Sequence, residues 1–173
     1  MEDTTRPHLK EIAMSRINTV LTYALSLLLI VSGIAKFAGG HVFAYIEHRS
    51  GIDLFDPVIG YATGVVEIVA GLLILVPRTR FVGAATAATV MVGAIGFHLS
   101  PWLGVSMPTG LADGAAAPWT AADFTTETTS LTFALAIITL VRSIVIMRTE
   151  LRARRTVDGT AVVLSTAPEA AAA

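Results

Sequence analysis

Long apolar stretches alternate with short polar ones along the chain, and four of the apolar stretches are long enough to cross a bilayer. They run over about 17–37, 58–76, 81–99 and 129–147. A hydrocarbon core of roughly 30 Å takes about 20 residues of helix. Lipid offers no partner to an amide, so each stretch is expected to be helical. The punctuation agrees. Asp56-Pro57 precedes the second stretch and places a proline at a first helical position. Pro77-Arg78-Thr79-Arg80 joins the second and third as a tight antiparallel hairpin, and Ser100-Pro101-Trp102 closes the third. Trp102 and Trp119 suit a membrane interface, where a ring has one apolar and one wet side. The expected fold class is all-α, an integral membrane four-helix bundle.

Basic residues orient it. Arg6, Lys10 and Arg16 precede the first span, Arg78 and Arg80 lie between the second and third, and Arg148, Arg152, Arg154 and Arg155 follow the fourth. The loop over 100–128 has no basic residue and carries Asp113, Asp123 and Glu127. The positive-inside rule then puts both termini in the cytoplasm. Residues 1–16 read as a cytoplasmic N-terminal segment, 17–147 as the membrane domain, and 148–173 as a cytoplasmic tail, disordered from about Thr156 onward. Between the first two spans, 39–56 mixes Val42, Phe43, Tyr45 and Ile46 with polar residues and reads as a short helix on the outer surface. The first span has a second reading as a cleaved signal peptide, with Gly33-Ile34-Ala35 near a cleavage site. Its apolar run exceeds the usual signal length of about 7–15 residues.

Composition sharpens this picture. Of 173 residues, 54% are hydrophobic and 14% charged, against roughly 45–50% and 25% in soluble domains. A net charge of −1 gives no reason to expect a nucleic-acid partner. With no cysteine, the chain has no disulfide, thiol nucleophile or thiolate metal site of its own. His41, Glu47 and His48 are metal-ligand types without a metal-site spacing, so no metal is expected. No two histidines share a span, which speaks against bis-histidine haem. No catalytic motif is found, so the chain does not read as an enzyme on its own.

Four ionisable residues within or at the ends of the spans need a reason, because burying charge in lipid is costly. Glu67 sits mid-span, on a face with Gly60, Gly64 and Gly71, so it faces the bundle, as a ligand-binding or proton-carrying carboxyl or as a structural one. Counting from the inner ends of the spans puts Ser26 and Thr139 level with it. Arg142 then lies about 6 Å toward the cytoplasm and Lys36 about 14 Å toward the outside. On that count Arg142 is the expected ion-pair partner of Glu67. Lys36 and His98 end the first and third spans on the outer side and can share a vestibule, together with Glu127. Their structural alternatives are snorkelling for Lys36 and Arg142 and a helix-end cap for His98.

Two stretches, Ser32-Gly33-Ile34-Ala35-Lys36-Phe37 and Gly60 to Leu99, resemble the DoxX family of small four-helix bacterial membrane proteins. The second includes Gly64-Val65-Val66-Glu67, Gly71-Leu72-Leu73-Ile74-Leu75, Pro77-Arg78-Thr79-Arg80 and Gly96-Phe97-His98-Leu99. The resemblance implies a bacterial cytoplasmic membrane and a link to redox or oxidative-stress physiology. It implies an accessory or scaffold component that works with a redox enzyme, alone or as a homo-oligomer. A second reading is a quinone- or small-acid-binding oxidoreductase subunit, with Glu67, Lys36 and His98 as the site and quinone as its cofactor. A third is a small oligomeric transporter or channel. The family carries no agreed catalytic set onto these positions.

Overall fold

The computed structural model describes the backbone of residues 5–38 and 41–165, and the side chains of 14–155 except 15, 39 and 40. In chain order it has α1 (Thr5–Phe37), α2 (His41–Ser50), a wide turn over Phe55–Ile59 that runs into α3 (Gly60–Leu75), and α4 (Arg80–His98). Then come β1 (Met107–Pro108), a short helical turn over Ala121–Asp123, β2 (Thr128–Thr129) and α5 (Leu131–Ser165). Four helical segments have the length and apolar character of membrane spans: Arg16–Phe37, Phe55–Leu75, Arg80–His98 and Leu131–Arg155. The protein is an all-α membrane bundle.

Its outward faces carry Leu27, Val31, Leu72, Val92 and Ile138, all exposed. In water they would be a liability, and in a bilayer they meet acyl chains. The inner faces are built from small residues, which is how helices pack where water does not drive them together. The buried core runs through Leu25, Leu29, Ala70, Ile74, Ala84, Ala87, Met91, Ala136 and Ile146. A Cβ on Gly83 would lie 2.7 Å from the Ala70 carbonyl oxygen, so α3 and α4 touch backbone to backbone. Along the bundle α1 packs on α3, α3 on α4 and α4 on α5, whereas α1 and α5 meet at few positions. That seam is the loosest side of the bundle.

The hairpin between α3 and α4 is tied by side chains. Thr79 donates to the Leu73 carbonyl at 2.9 Å and Arg80 Nε to the Ile74 carbonyl at 3.0 Å. The free carbonyls of the last turn of α3 thus find partners. Arg80 also reaches Glu150 on α5 at 3.5 Å.

At the other end, residues 100–130 fold into a compact cap. Met107 and Pro108 pair antiparallel with Thr129 and Thr128, and Leu111 bridges to Phe124. Asp123 Oδ2 accepts from Thr120 N at 2.7 Å and from Thr120 Oγ1 at 2.6 Å, a reciprocal cap for the short turn. Beneath the cap, Ile46, Phe55, Leu103 and Met107 form a second buried cluster with Phe43 and Phe97 at its edge. This cluster holds α2 over the end of the bundle.

Three boundaries differ from those read in the sequence. Asp56 is extended (φ −120°, ψ 125°), as a residue before proline prefers, so Pro57 lies inside the wide turn and not at a first helical position. The helix of α1 begins at Thr5, so much of the N-terminal segment continues the first span. The helix of α5 continues to Ser165, past the Thr156 limit expected for ordered structure; the good helix formers Glu150 to Arg155 carry it to that limit, and propensity does not explain the Thr-, Val- and Gly-containing run beyond it. Residues 166–173 lie outside the described residues.

Candidate functional site

Close approach of α1 and α3 sets the site. A Cβ on Gly33 would lie 2.6 Å from the Gly64 carbonyl oxygen, and one on Gly71 would lie 2.9 Å from the Ser26 carbonyl oxygen. These contacts fix an antiparallel register in which Gly33 faces Gly64 and Ser26 faces Gly71. Phe37 stacks on Tyr61 at 5.1 Å in the same register. The Cβ of Lys36 is then beside Gly64, one turn of α3 outward from Glu67.

In this register Lys36 Nζ reaches Glu67 Oε2 at 2.5 Å. Glu67 is almost fully buried (4% exposed). Nζ also donates to Ser32 Oγ at 3.2 Å and, more weakly, to the Ser32 carbonyl at 3.5 Å. The three N–H bonds of the ammonium are therefore all directed at protein acceptors. The second carboxylate oxygen, Glu67 Oε1, has no hydrogen-bond partner among the described residues.

Above this pair lies a cavity of about 720 Å³, most of whose wall is apolar. Lys36, Glu67, His98 and Thr139 all line it, as do Ser32, His41 and Thr132. It is walled by α1 and α5 on the side of the loose seam, through Leu28 and Ala35 on one helix and Leu135 and Ala136 on the other. A volume of this size lies within the usual range for small-molecule sites, about 300–1,000 Å³.

Two imidazoles reach the cavity from its outer side. His98 is buried, its ring packs on Phe133, and Nδ1 is 2.8 Å from the Gly104 carbonyl. A carbonyl only accepts, so Nδ1 carries the proton and in the neutral ring Nε2 is a lone-pair acceptor. Burial holds His41 below the ordinary imidazole pKa, and a hydrogen bond to the Pro108 carbonyl opposes this in part. His41 Nε2 is buried with no partner, and so is Thr132 Oγ1. Buried polar atoms without partners are rare enough to need an explanation.

The ion-pair expectation for Glu67 is corrected: its partner is Lys36, and among the described residues Arg142 makes no ion pair. Arg142 does not line the cavity, and its Nε is buried without a partner. The miscount has a physical cause. The helices α1 and α5 run on beyond their candidate spans, so the inner ends of the apolar stretches mark no common level. Ser26 is likewise not level with Glu67. It lies a turn deeper, donating to the Gly71 carbonyl at 2.7 Å. Glu127 does not line the cavity.

His41, Glu47 and His48 go three ways. His41 turns to the cavity, Glu47 accepts from the Asp56 amide at 2.9 Å, and His48 Nδ1 lies 3.1 Å from the Trp119 carbonyl. Ser32 had a signal in the sequence, one turn before Lys36 on the same face. Thr132 had none, because nothing in its neighbourhood says which way α5 turns.

A family model described as methylamine utilisation protein MauE matches residues 14–141. The chain belongs to the MauE family. That match overturns the DoxX resemblance: no DoxX model matches. The glycine-rich stretches that carried it are what close helix packing requires, as Gly33, Gly64 and Gly71 demonstrate, and so they mark a packing geometry more than a family. The MauE match spans all of the cavity lining from Leu28 to Thr139. No curated protein and no solved structure matches the chain.

Proposed function

We propose that this MauE-family protein is a membrane accessory component of a redox system, of the methylamine-utilisation kind named for its family, and that it works by holding a small neutral lipophilic molecule in the outer cavity. The single observation behind this reading is the cavity itself: apolar on most of its wall, with the Lys36–Glu67 pair and two imidazoles among the residues that line it. A plain scaffold has no use for a buried ion pair beside unpartnered acceptors. A lipophilic ring with polar substituents uses both parts, and quinones are the membrane redox carriers of that shape.

The charge state separates this reading from a small-acid site. A carboxylate ligand needs an unpaired cation, and Lys36 is committed to Glu67 and Ser32. The ion pair is neutral in sum, which favours an uncharged guest. A channel reading has less support, because the outer end of the bundle is covered by α2 and the 100–130 cap.

The test is purification in mild detergent followed by organic extraction and mass spectrometry. A stoichiometric quinone in the extract supports the ligand reading. A co-purifying protein with no extracted small molecule would reduce the assignment to a scaffold.

A further inference from the structure

The hairpin of α3 and α4 is shut at its inner end and open farther out. At the inner end a Cβ on Gly83 would lie 2.7 Å from the Ala70 carbonyl oxygen and 2.8 Å from the Ile74 amide nitrogen. Farther out, a Cβ on Gly93 would meet nothing within 4 Å. There Thr63 of α3 and Val90 and Ala94 of α4, all half-buried, line the cavity. Counting a rise of about 1.5 Å per residue outward from the Gly83 contact puts Thr89 level with Val66 and Gly93 level with Ala62. These four also line the cavity, and all four are exposed. They are the lips of a mouth that opens sideways between α3 and α4. On the side of the α1–α5 seam Ala35 alone of the lining is exposed, and Leu28 and Leu135 are half-buried.

The mouth is apolar. Ala62, Val66 and Gly93 bring no polar side-chain atom, and the Thr89 hydroxyl is spent on the Ala85 carbonyl one turn back, at 3.0 Å. The outer end of the cavity is roofed instead: Val42, Phe43, Ile46 and Leu103 line it and belong to the packed cluster under the cap. From this geometry we infer that the gap between α3 and α4 is the subsite for a hydrocarbon tail. The cavity then takes a chain-bearing, lipid-soluble molecule, its polar end beside the Lys36–Glu67 pair and its single isoprenoid or acyl tail leaving between the two lips into the bilayer. This rests on the reading above that the cavity holds a neutral lipophilic molecule, and adds that the molecule has a tail. Val66 adjoins Glu67 in α3, so the polar and apolar parts of the guest fall to neighbouring positions of one helix. A tail that stays among acyl chains keeps its apolar surroundings on binding, and only the headgroup has to be enclosed. At the level of Gly93 and Ala62 the two helices together bring one methyl group, which leaves the gap free for the chain.

The probes are decylubiquinone, which carries a ten-carbon tail, and the tailless 2,3-dimethoxy-5-methyl-1,4-benzoquinone, which has the same ring. Both are titrated into the purified full chain in detergent and followed by calorimetry, with thermal unfolding as the check that each variant is folded. Gly93→Phe puts a ring into the open space at one lip, and Ala62→Phe does so independently from the facing lip. Each is expected to weaken decylubiquinone at least about tenfold, equivalent to ~1.4 kcal/mol, and to leave the tailless ring within about twofold. Val92→Phe, at a neighbouring exposed position that does not line the cavity, is the control and should leave both affinities unchanged. Comparing variants with one probe at a time cancels the probe's own partition into detergent. If decylubiquinone binds the lip variants as well as the wild type, the tail subsite is overturned while the ligand reading stands. If both probes weaken alike, the lips hold the ring and the tail subsite is again overturned. If the wild type binds neither probe, the ligand reading itself falls and takes this inference with it.

Discussion

Gly33 and Gly64 face each other across α1 and α3 so closely that a Cβ on either would sit under 3 Å from the other's carbonyl oxygen, at 2.6 Å and 2.8 Å. That contact is backbone on backbone, so no side chain can turn aside to relieve it. Gly33→Ala and Gly64→Ala should each destabilise the bundle by about 1–3 kcal/mol, the range for overpacking a close-fitted interior. Thermal unfolding in detergent reads the loss. Gly93→Ala is the control, since a Cβ there meets nothing within 4 Å, and it should leave the melting temperature unchanged.

The Lys36–Glu67 pair makes a double-substitution prediction. Glu67→Leu leaves a buried ammonium without its partner, and Lys36→Met leaves a buried carboxylate, each costing about 3–5 kcal/mol. The double variant should recover most of the loss, because two charges removed together leave no orphan. Arg142→Met should not rescue Glu67→Leu. A rescue by Arg142→Met and none by Lys36→Met, in a denaturant series, would show that the pairing is the other one.

Acid should loosen the outer end of the protein. His41 has its folded-state pKa depressed by burial, so the folded state favours the neutral ring. Its contribution to stability is full above the unfolded imidazole value of about 6.5 and is lost as pH falls through the lower folded value. The other titratable groups lining the same cavity are Lys36, Glu67 and His98. Melting temperatures between pH 7.5 and 5 should fall more steeply in the wild type than in His41→Gln. Parallel curves would mean that His41 titrates alike in both states.

Both termini should lie on the cytoplasmic side. Four spans return the chain to the side it started from, and Arg16, Arg78, Arg80, Arg148 and Arg152 gather at that end. A C-terminal fusion to a reporter active only in the cytoplasm should give signal, and a periplasm-dependent reporter should be silent. The reverse pattern would invert the molecule and put the cavity on the inner face.

Truncation after Arg155 should cost little. Arg154, 5.5 Å over the Phe81 ring, is retained by that truncation and still ties α5 to α4. The change in stability should stay within about 0.5 kcal/mol, as for surface changes that break no special contact. A larger drop would mean that residues beyond 155 dock on the bundle.

What the sequence made legible was whatever depends on local composition. Span number and hairpin position follow from runs of apolar residues and from Pro77-Arg78-Thr79-Arg80, which report on themselves. The inward aim of Glu67 followed from its glycine row. Its partner did not, because register between helices is set by contacts such as Gly33 on Gly64, which belong to two segments at once. The cap over 100–130 was read only as an acidic loop. Its ladder pairs Met107 with Thr129, residues whose alternation is too short to announce a strand. His41 reads in the sequence only as a metal-ligand type, since its surroundings, the Pro108 carbonyl and the cavity, have no signature in the chain.

The pairing of Lys36 with Glu67 also bears on how the protein is made. The two residues lie on spans consecutive in the chain, α1 and α3, so the pair forms without a residue from α4 or α5. A charge inserted alone would wait in hydrocarbon until later helices arrived. Here each charge has its counter-charge on the adjoining span, so the two helices together carry no net charge from this pair into the hydrocarbon.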